Sequence, residues 1–206
     1  FENRLGAWKA LMDLKAEGLI GAIGISTHHV DACVYASTLD ECDVVFPLIN
    51  KAGLGIRICT DEGDRIGNRA EMERAIDICV EEDMGIFTMK AFGGGNLVED
   101  YRDCLDYATS ISGNSCVMVG MASRDEVDAA IAYIDDCLDA DYRPDVSSKR
   151  LMIDQSDCEA CGTCKERCVS QAIYWNANGL ASIDAGKCVR CGYCAPVCPV
   201  RAIILL

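Results

Sequence analysis

Short apolar runs alternate with helix-like stretches through the first 140 residues of the chain. The runs at 20–25, 43–48, 85–90 and 115–121 are short and rich in apolar residues, so they predict buried strands. The stretches that follow them predict helices, because their apolar residues recur every three or four positions. Buried strands that alternate with helices indicate a parallel sheet with helices packed outside it.

The helices are predicted from their apolar faces and from their end signals. The first carries Leu5, Trp8, Leu11 and Met12 at helical spacing, and Gly18 is a stop signal. Four further helices carry apolar faces formed by Val30, Cys33 and Val34; by Met72, Ala75, Ile76, Cys79 and Val80; by Tyr101, Cys104, Leu105 and Ala108; and by Val127, Ala130, Ile131, Ile134 and Leu138.

Capping residues and glycines mark the connections. Asn68 precedes Glu71 by three residues, and Ser123 stands in the same relation to Glu126, so both pairs predict capping boxes at helix starts. Residues 50–68 contain four glycines and are predicted to form a long loop. The glycine run at 93–95 is either a hinge or a turn with positive dihedral angles.

Eight of the fifteen cysteines stand in two identical runs near the end of the sequence. Both runs read C-x2-C-x2-C-x3-C, and they lie thirty residues apart. Two-residue gaps wrap a tight backbone loop around three corners of an iron–sulfur cubane. Structural zinc sites use paired C-x2-C units instead, so zinc is not predicted. The runs are Cys158, Cys161, Cys164 and Cys168, and Cys188, Cys191, Cys194 and Cys198.

This spacing resembles that of bacterial-type ferredoxins, which hold two [4Fe-4S] clusters. The resemblance covers residues 151–206 and departs from the family at Val169, where proline is usual. In that family the fourth cysteine of each run binds the other cluster. The resemblance therefore implies one cluster on Cys158, Cys161, Cys164 and Cys198, and a second on Cys188, Cys191, Cys194 and Cys168.

The charge distribution limits the partners. The net charge is −14, and residues 151–206 hold five acidic and five basic side chains, so the excess lies in residues 1–150. Such an acidic body argues against nucleic acid or an anionic membrane as partner. No apolar run has the length of a membrane span. Abundant cysteines together with oxygen-sensitive clusters predict a reducing cytoplasm.

Seven further cysteines are not spaced as the ligands of a metal site would be. Most of them lie on predicted apolar faces, where a free cysteine behaves as a small hydrophobic residue. Only Cys59, in the predicted loop, is a candidate reactive thiol. The seven are Cys33, Cys42, Cys59, Cys79, Cys104, Cys116 and Cys137.

Three stretches before the cysteine runs resemble aldo-keto reductases. Residues 15–26 (KAEGLIGAIGIS) are similar to the junction of that family's fourth helix and fifth strand. Residues 89–95 (MKAFGGG) are similar to the seventh strand and its loop, and residues 119–123 (VGMAS) to the end of the eighth. A flavodoxin-like sheet would fit the length, but the first strand–helix turn lacks its glycine fingerprint.

The resemblance implies an α/β fold in two parts. Residues 1–142 are expected to form the second half of a (β/α)8 TIM-type barrel, with about four βα units. Residues 143–150 are expected to be a linker, and residues 151–206 a small α+β ferredoxin-like domain with two [4Fe-4S] clusters. Because the chain opens on Phe1 rather than on methionine, we expect it to be a fragment or a processed product.

The same resemblance implies a nicotinamide site but no catalytic assignment. The family's catalytic residues lie on strands two to four, which residues 1–142 do not contain, so the catalytic residues are unknown. NAD(P)H is expected to contact Ser26 and Thr27 after the fifth strand, Lys90 after the seventh, and Ser123 and Arg124 at the last helix. Glu126 aligns near the family's 2′-phosphate-binding arginine, which disfavours NADPH.

Together these patterns predict an iron–sulfur oxidoreductase that passes electrons between two clusters and a redox site on an aldo-keto reductase-like barrel. The expected partners are a small-molecule substrate or a redox protein, and an oligomer or subunit that completes the barrel. Two alternatives stay open: a non-catalytic ferredoxin-type electron carrier, and clusters that mainly stabilise the fold. Because clusters move single electrons and a nicotinamide moves a hydride, direct transfer needs a mediator.

Overall fold

The computed structural model describes residues 4–121, 123–145, 150–200 and 202–205. The chain divides into two compact units. The sheet unit comprises Phe1–Gly93 and Arg102–Ala122, and the cysteine unit comprises Gly94–Tyr101 and Ser123–Leu206. The predicted domain limits and linker stay predictions, and residues 146–149 of that linker lie outside the described residues.

Four parallel strands form the centre of the sheet unit, as predicted. They are β1 (Gly24–Thr27), β2 (Val44–Pro47), β5 (Gly85–Met89) and β6 (Asn114–Met118), in the order β1-β2-β5-β6. The first strand begins later than the apolar run at 20–25 predicts. A side chain at Gly24 would overlap the carbonyl oxygen of Val44, so glycine allows the two strands to approach here.

Helices cover one face of this sheet. They include α1 (Leu5–Ala16), α2 (Val30–Ala36), α3 (Arg69–Glu81) and α4 (Tyr101–Ser110). Helix α2 contacts β1 and β2, and α3 contacts β2 and β5. The core between sheet and helices contains Trp8, Cys33, Val45, Leu48, Met72, Ile76 and Ile86.

The other face of the sheet carries apolar side chains that are incompletely buried. Val45 and Ile86 are buried, whereas their neighbours Phe46 and Phe87 are only half-buried. Since successive residues of a strand point to opposite faces, Phe46 and Phe87 belong to the second face. Their rings stack with centroids 4.2 Å apart. The outer strand β6 was predicted to be buried, but none of its residues is, because it has a neighbouring strand on one side only.

Residues 50–68 are more ordered than predicted. They contain an antiparallel hairpin of β3 (Arg57–Thr60) and β4 (Gly63–Ile66), so the prediction of a continuous loop was wrong. The strands are short and exposed, and therefore lack the apolar pattern that marks a buried strand. Cys59 lies in β3 rather than in a loop, and its backbone N–H donates to Asp31 Oδ1 at 2.8 Å.

Helix α3 matches its prediction in start and face. The Asn68 side chain accepts from the backbone N–H of Glu71 at 3.0 Å, and Glu71 accepts from the N–H of Asn68 at 2.8 Å. This is a complete capping box, which satisfies two backbone donors at the helix start. Of the five predicted inward residues, Met72, Ala75, Ile76 and Cys79 are buried and Val80 is half-buried.

The inward face predicted for the last long helix, α5 (Arg124–Ile134), was wrong for three of its five residues, whereas Leu138, beyond the helix end, is buried as predicted. Ser123 caps the helix by accepting from Glu126 N–H at 3.2 Å, but Val127, Ile131 and Ile134 are exposed. Helical periodicity shows which residues share a face, and it does not show that another element covers that face. Within the part of the chain that the structure describes, no helix is long and apolar enough to cross a membrane.

Asp43 joins α1 to the sheet and gives the sheet unit a pH-dependent contact. Lys15 Nζ lies 2.5 and 2.6 Å from its two carboxylate oxygens, and the Ile23 N–H donates to it at 2.7 Å. The hydrogen bond from Lys15 and that from Ile23 lower the pKa of Asp43. A carboxyl group whose pKa is lower in the folded than in the unfolded state stabilises the fold at pH values above its unfolded pKa, which is about 3.9. This stabilisation is lost as the pH falls through the folded pKa.

We therefore expect Asp43→Asn to lower the free energy of unfolding by about 1 kcal/mol at pH 7, the upper range for a partly exposed ion pair. The difference from the parent protein should shrink as the pH falls below about 4. Urea unfolding at pH 7 and at low pH measures both values. Asp40→Asn is the control, because the Asp40 carboxylate forms no ion pair or hydrogen bond with any described residue. A difference that is independent of pH would show that charge is not the cause.

Candidate metal centre

Short strands pair the beginning of the cysteine-rich region with its end. β7 (Leu151–Ile153) pairs with β10 (Ile203–Leu205), and β8 (Ile173–Trp175) pairs with β9 (Ala181–Ile183), both antiparallel. A short helix, α6 (Thr163–Arg167), lies within the first cysteine run. The pairing of β7 with β10 brings residues that follow the second run beside residues that precede the first.

The two cysteine runs are held by equivalent backbone hydrogen bonds. Asp154 N–H donates to the carbonyl of Ala202 at 2.7 Å, and Asp184, thirty residues on, donates to Ala172 at 2.8 Å. Each aspartate carbonyl in turn accepts from the first cysteine of its run, Cys158 at 3.1 Å and Cys188 at 3.0 Å. The internal repeat seen in the sequence is thus a structural repeat.

The loops between the cysteines also repeat their backbone conformation. Ala160 and Arg190 have φ of 54° and 56°, and Gly162 and Gly192 have φ of 84° and 74°. Left-handed backbone is uncommon for residues other than glycine, so its appearance at one position of both loops indicates a shared constraint. When right-handed and left-handed residues alternate, successive backbone N–H groups can point into a shared concavity, as they do at many iron–sulfur sites.

The first cavity is lined by three cysteines of the first run and one of the second. They are Cys158, Cys161, Cys164 and Cys198. Ile153 and Ile203 are among the apolar residues that complete the lining. Together with the solvent at its mouth, the cavity has a volume of about 310 Å³.

The second cavity has the reciprocal composition. It is lined by Cys188, Cys191, Cys194 and Cys168, with a volume of about 320 Å³ on the same basis. Ser170 and Tyr193 also line it. The two groups of four cysteines are those that the ferredoxin resemblance implies, and their role as ligands remains a prediction.

Hydrogen bonds reach several of the sulfur atoms. Ala172 N–H donates to Cys168 Sγ at 3.2 Å, and Ala202 N–H donates to Cys198 Sγ at 3.3 Å. The hydrogen bond with the Thr163 hydroxyl lowers the pKa of Cys161. At Cys168, burial raises the pKa, but hydrogen bonds with Ser170 and Ala172 outweigh it and the net shift is downward. These contacts favour the thiolate, which is the form that binds metal.

In the two most buried cysteines of the runs, the pKa of the thiol is raised instead of lowered. Burial raises the pKa of Cys194 to about 12, and burial also raises that of Cys164. Without metal these two side chains therefore stay protonated at neutral pH. A bound metal deprotonates a coordinating thiol and supplies the positive charge that the apolar lining lacks.

The arrangement fits a cluster better than a single ion. Among the described residues, no group of three or more His, Cys, Asp or Glu side chains is placed to hold one metal ion. A structural zinc site needs its thiolates about 2.3 Å from one centre, whereas the thiolates of a cubane bind different iron atoms and stand further apart. Four cysteines spread around a cavity match the wider spacing that a cubane requires.

The residues predicted to bind a nicotinamide are divided between the two units. Ser26, Thr27 and Lys90 belong to the sheet unit, while Ser123 and Arg124 belong to the cysteine unit. None of the five lines either cysteine cavity. Their role as a cofactor site stays a prediction.

Two of these residues have local structural partners. The Thr27 hydroxyl accepts from the backbone N–H of His29 at 2.9 Å, and the Ser123 hydroxyl caps α5. Lys90 differs, because its side chain forms no hydrogen bond or ion pair with any described residue and its φ is 64°. A strained lysine that follows a parallel strand is the kind of residue that functional sites retain.

Other residues around the cavities were not predicted. Tyr193 lines the second cavity and Ser170 contacts a sulfur, but neither carries a ligand signal in sequence. Alignment of the two cysteine runs could have drawn attention to Tyr193, because it stands where the first run has the smaller Thr163. Gly94 and Gly95, which contact the second run, have no such signal because they lie about 100 residues earlier.

The cysteines outside the two runs follow the predicted division only in part. Cys33, Cys42, Cys79 and Cys104 are buried, as expected for small apolar side chains. Cys33 and Cys79 lie in contact, with their sulfur atoms 3.8 Å apart. Cys59, Cys116 and Cys137 are exposed.

Comparison with known families identifies one segment. The profile of the 4Fe-4S binding domain family matches residues 181–204, which contain the whole second cysteine run. This part of the chain is therefore an iron–sulfur, ferredoxin-like segment. No curated protein matches the chain. The aldo-keto reductase resemblance gains no support from these comparisons and remains a prediction.

Proposed function

We propose that this chain binds two [4Fe-4S] clusters and passes electrons between them and a redox site on the sheet unit. The observation that carries the proposal is the pair of cavities, each lined by three cysteines of one run and the fourth of the other. The match to a 4Fe-4S binding domain indicates iron–sulfur electron transfer. The second cluster and the redox site on the sheet unit go beyond that match.

The structural repeat supports a cluster in the first cavity as well as in the second. The matched segment supplies three cysteines of the second cavity but only Cys198 of the first. The first run repeats the backbone bonds and the left-handed residues of the second. Because the two loops share one backbone conformation, the cluster binding that the family match indicates for the second run is proposed for the first run as well.

The residues of the chain have definable tasks in this function. A bound [4Fe-4S] cluster accepts and releases one electron at a time. The eight cysteines hold the clusters, and the N–H groups of Ala172 and Ala202 donate to two ligand sulfurs, which tunes the reduction potential. The apolar lining by Ile153, Ile173, Ile183 and Ile203 keeps water from the sites.

We further propose that the sheet unit is part of an aldo-keto reductase-like TIM barrel. Its four parallel strands follow one another in chain order across the sheet, with the β3–β4 hairpin as an insertion. One face is covered by helices, and the other carries the incompletely buried Phe46 and Phe87. In a closed barrel that face is filled by side chains from the remaining strands, and the outer strands are paired. A partner subunit or a further part of the polypeptide would supply those strands.

A non-catalytic electron carrier is the second candidate. It is favoured by Thr27 and Ser123, whose hydroxyl oxygens already accept hydrogen bonds from backbone N–H groups of their own segments, which gives both side chains a local structural role. The enzymatic proposal also needs a mediator, because a hydride transfers two electrons together and each cluster takes one.

Anaerobically purified protein should contain about eight iron and eight sulfide per chain, as two [4Fe-4S] clusters require. We expect dithionite to bleach the visible absorption reversibly. Bleaching by NADH or NADPH would support the oxidoreductase, and bleaching by dithionite alone would support the carrier. Zinc in place of iron, or about four irons per chain, would contradict the two-cluster proposal.

A further inference from the structure

We propose that the segment Gly94–Tyr101 shields the second cavity, which makes the two clusters inequivalent and leaves the first as the cluster that exchanges electrons with external partners. This inference rests on the proposed function, since it needs both clusters. It concerns contacts inside the cysteine unit only, to which the segment belongs.

Gly94 lies directly against the loop that holds the second cluster. A Cβ built on Gly94 would stand 2.5 Å from the carbonyl oxygen of Cys191 and 3.0 Å from the ring of Tyr193. Gly95 is also close, since a Cβ there would lie 3.7 Å from the carbonyl of Arg190. Gly94 and Gly95 have φ of 70° and 98°, so the turn favours glycine on conformational grounds as well. The glycine run is thus a turn with positive dihedral angles whose backbone covers residues 190–193.

The far end of the segment is fixed within the same unit. Tyr101 is buried, and its ring packs edge-on against Tyr142, with centroids 5.0 Å apart. Glu99 lies 4.0 Å from Arg143, the residue after Tyr142. The segment is therefore held at its end as well as at Gly94.

Tyr193 completes the cover from the side of the second run. Its side chain is 6% exposed and lines the second cavity. The Arg167 guanidinium lies 5.3 Å from the centre of its ring, a cation–π distance. At the equivalent position of the first run stands Thr163, which is exposed.

The first cavity differs from the second in the exposure of one ligand and in the residues beside its loop. Its Cys161 is exposed, whereas the matching Cys191 is half-buried beneath Gly94. A Cβ built on Gly162 would stand 3.5 Å from the ring of Trp175, which is itself 43% exposed. An exposed ligand gives a docked protein a short route to the cluster, so we assign external exchange to the first cluster.

Iron release to a chelator from the reduced, full-length protein tests the shield. We expect two phases of equal amplitude, fast from the first cavity and slow from the second. Alkylation after the fast phase should label Cys158, Cys161 and Cys164 and spare Cys188, Cys191 and Cys194. Gly94→Ala should speed the slow phase several-fold and leave the fast phase unchanged.

Gly179→Ala is the matched control. Gly179 has φ of 72°, close to that of Gly94, and open space where a Cβ would stand. It therefore introduces the same backbone strain without the contact, and it should leave both phases unchanged. A single phase from protein with about eight irons, or equal effects of the two substitutions, would overturn the shield and leave the two-cluster function standing. A parent protein with about four irons or with zinc would overturn the function itself.

Tyr193 provides an independent test if Gly94→Ala fails to assemble the second cluster. Tyr193→Phe keeps the ring and should retain the slow phase, whereas Tyr193→Ala removes the cover and should speed it. Equal slow-phase rates in the two Tyr193 variants would contradict the proposal.

Discussion

Replacing Cys198 by alanine is expected to remove the cluster of the first cavity and to spare that of the second, although Cys198 belongs to the second cysteine run. The reason is the tertiary arrangement: Cys198 lines the cavity of Cys158, Cys161 and Cys164. Loss of one of four ligands should empty that site, so the protein should keep about half of its iron, about four atoms of about eight. Alanine is preferred to serine because a serine oxygen can replace the thiolate.

Alkylation of the anaerobic protein identifies which cluster is lost. In Cys198→Ala the thiols of Cys158, Cys161 and Cys164 should become reactive, while those of Cys188 and Cys191 stay protected. Cys168→Ala should give the opposite pattern, because Cys168 lines the second cavity. Cys137→Ala, which removes an exposed cysteine of the same unit outside both cavities, should retain all the iron. Reactive Cys188 and Cys191 in Cys198→Ala would mean that each run binds its own cluster.

Removal of iron should unfold the region of β7–β10 and leave the sheet unit folded. The core of that region consists of small or aliphatic residues together with Cys164 and Cys194, which are themselves predicted ligands. Each of its strands has only three residues. Regions of this size seldom bury enough apolar surface to fold alone, and metal binding then contributes directly to folding. The sheet unit has an independent core around Leu48, Ile76 and Ile86.

Hydrogen exchange of the full chain, before and after anaerobic chelation, measures this effect. Backbone amides of β8 and β9 should lose most of their protection, whereas those of β2 and β5 should keep theirs. Reconstitution with iron and sulfide should restore the first group. Protection of β8 and β9 that survives complete removal of iron would show that the clusters do not support the fold, and that their role is confined to redox chemistry.

Local signals account for the parts of the fold that were predicted well. Helix α3 begins at Asn68 and buries Met72 and Ile76 because its cap and its apolar period both lie within one stretch of sequence. The parallel sheet was predicted because each strand is an apolar run followed by a helix. Signals of this kind need no information about distant residues.

The predictions that were wrong share a different cause. The hairpin of β3 and β4 is exposed, and so lacks the apolar pattern by which strands are recognised. The stripe of Val127, Ile131 and Ile134 has the right period, but no described element covers it. In both cases burial depends on what packs against the segment, which a local pattern does not contain.

The sequence by itself determined the eight cysteines, their two-run spacing and the repeat between the runs. These properties are local, because the loop around three corners of a cluster is built from consecutive residues. The ferredoxin resemblance implied that the fourth cysteine of each run lies with the other run. Only the tertiary structure placed each fourth cysteine there, Cys198 near the pairing of β7 with β10 and Cys168 near the pairing of β8 with β9. The tertiary structure alone revealed the contact of Gly94 with Cys191. No spacing rule could predict it, because the two residues lie far apart in the chain and meet only when the unit is folded.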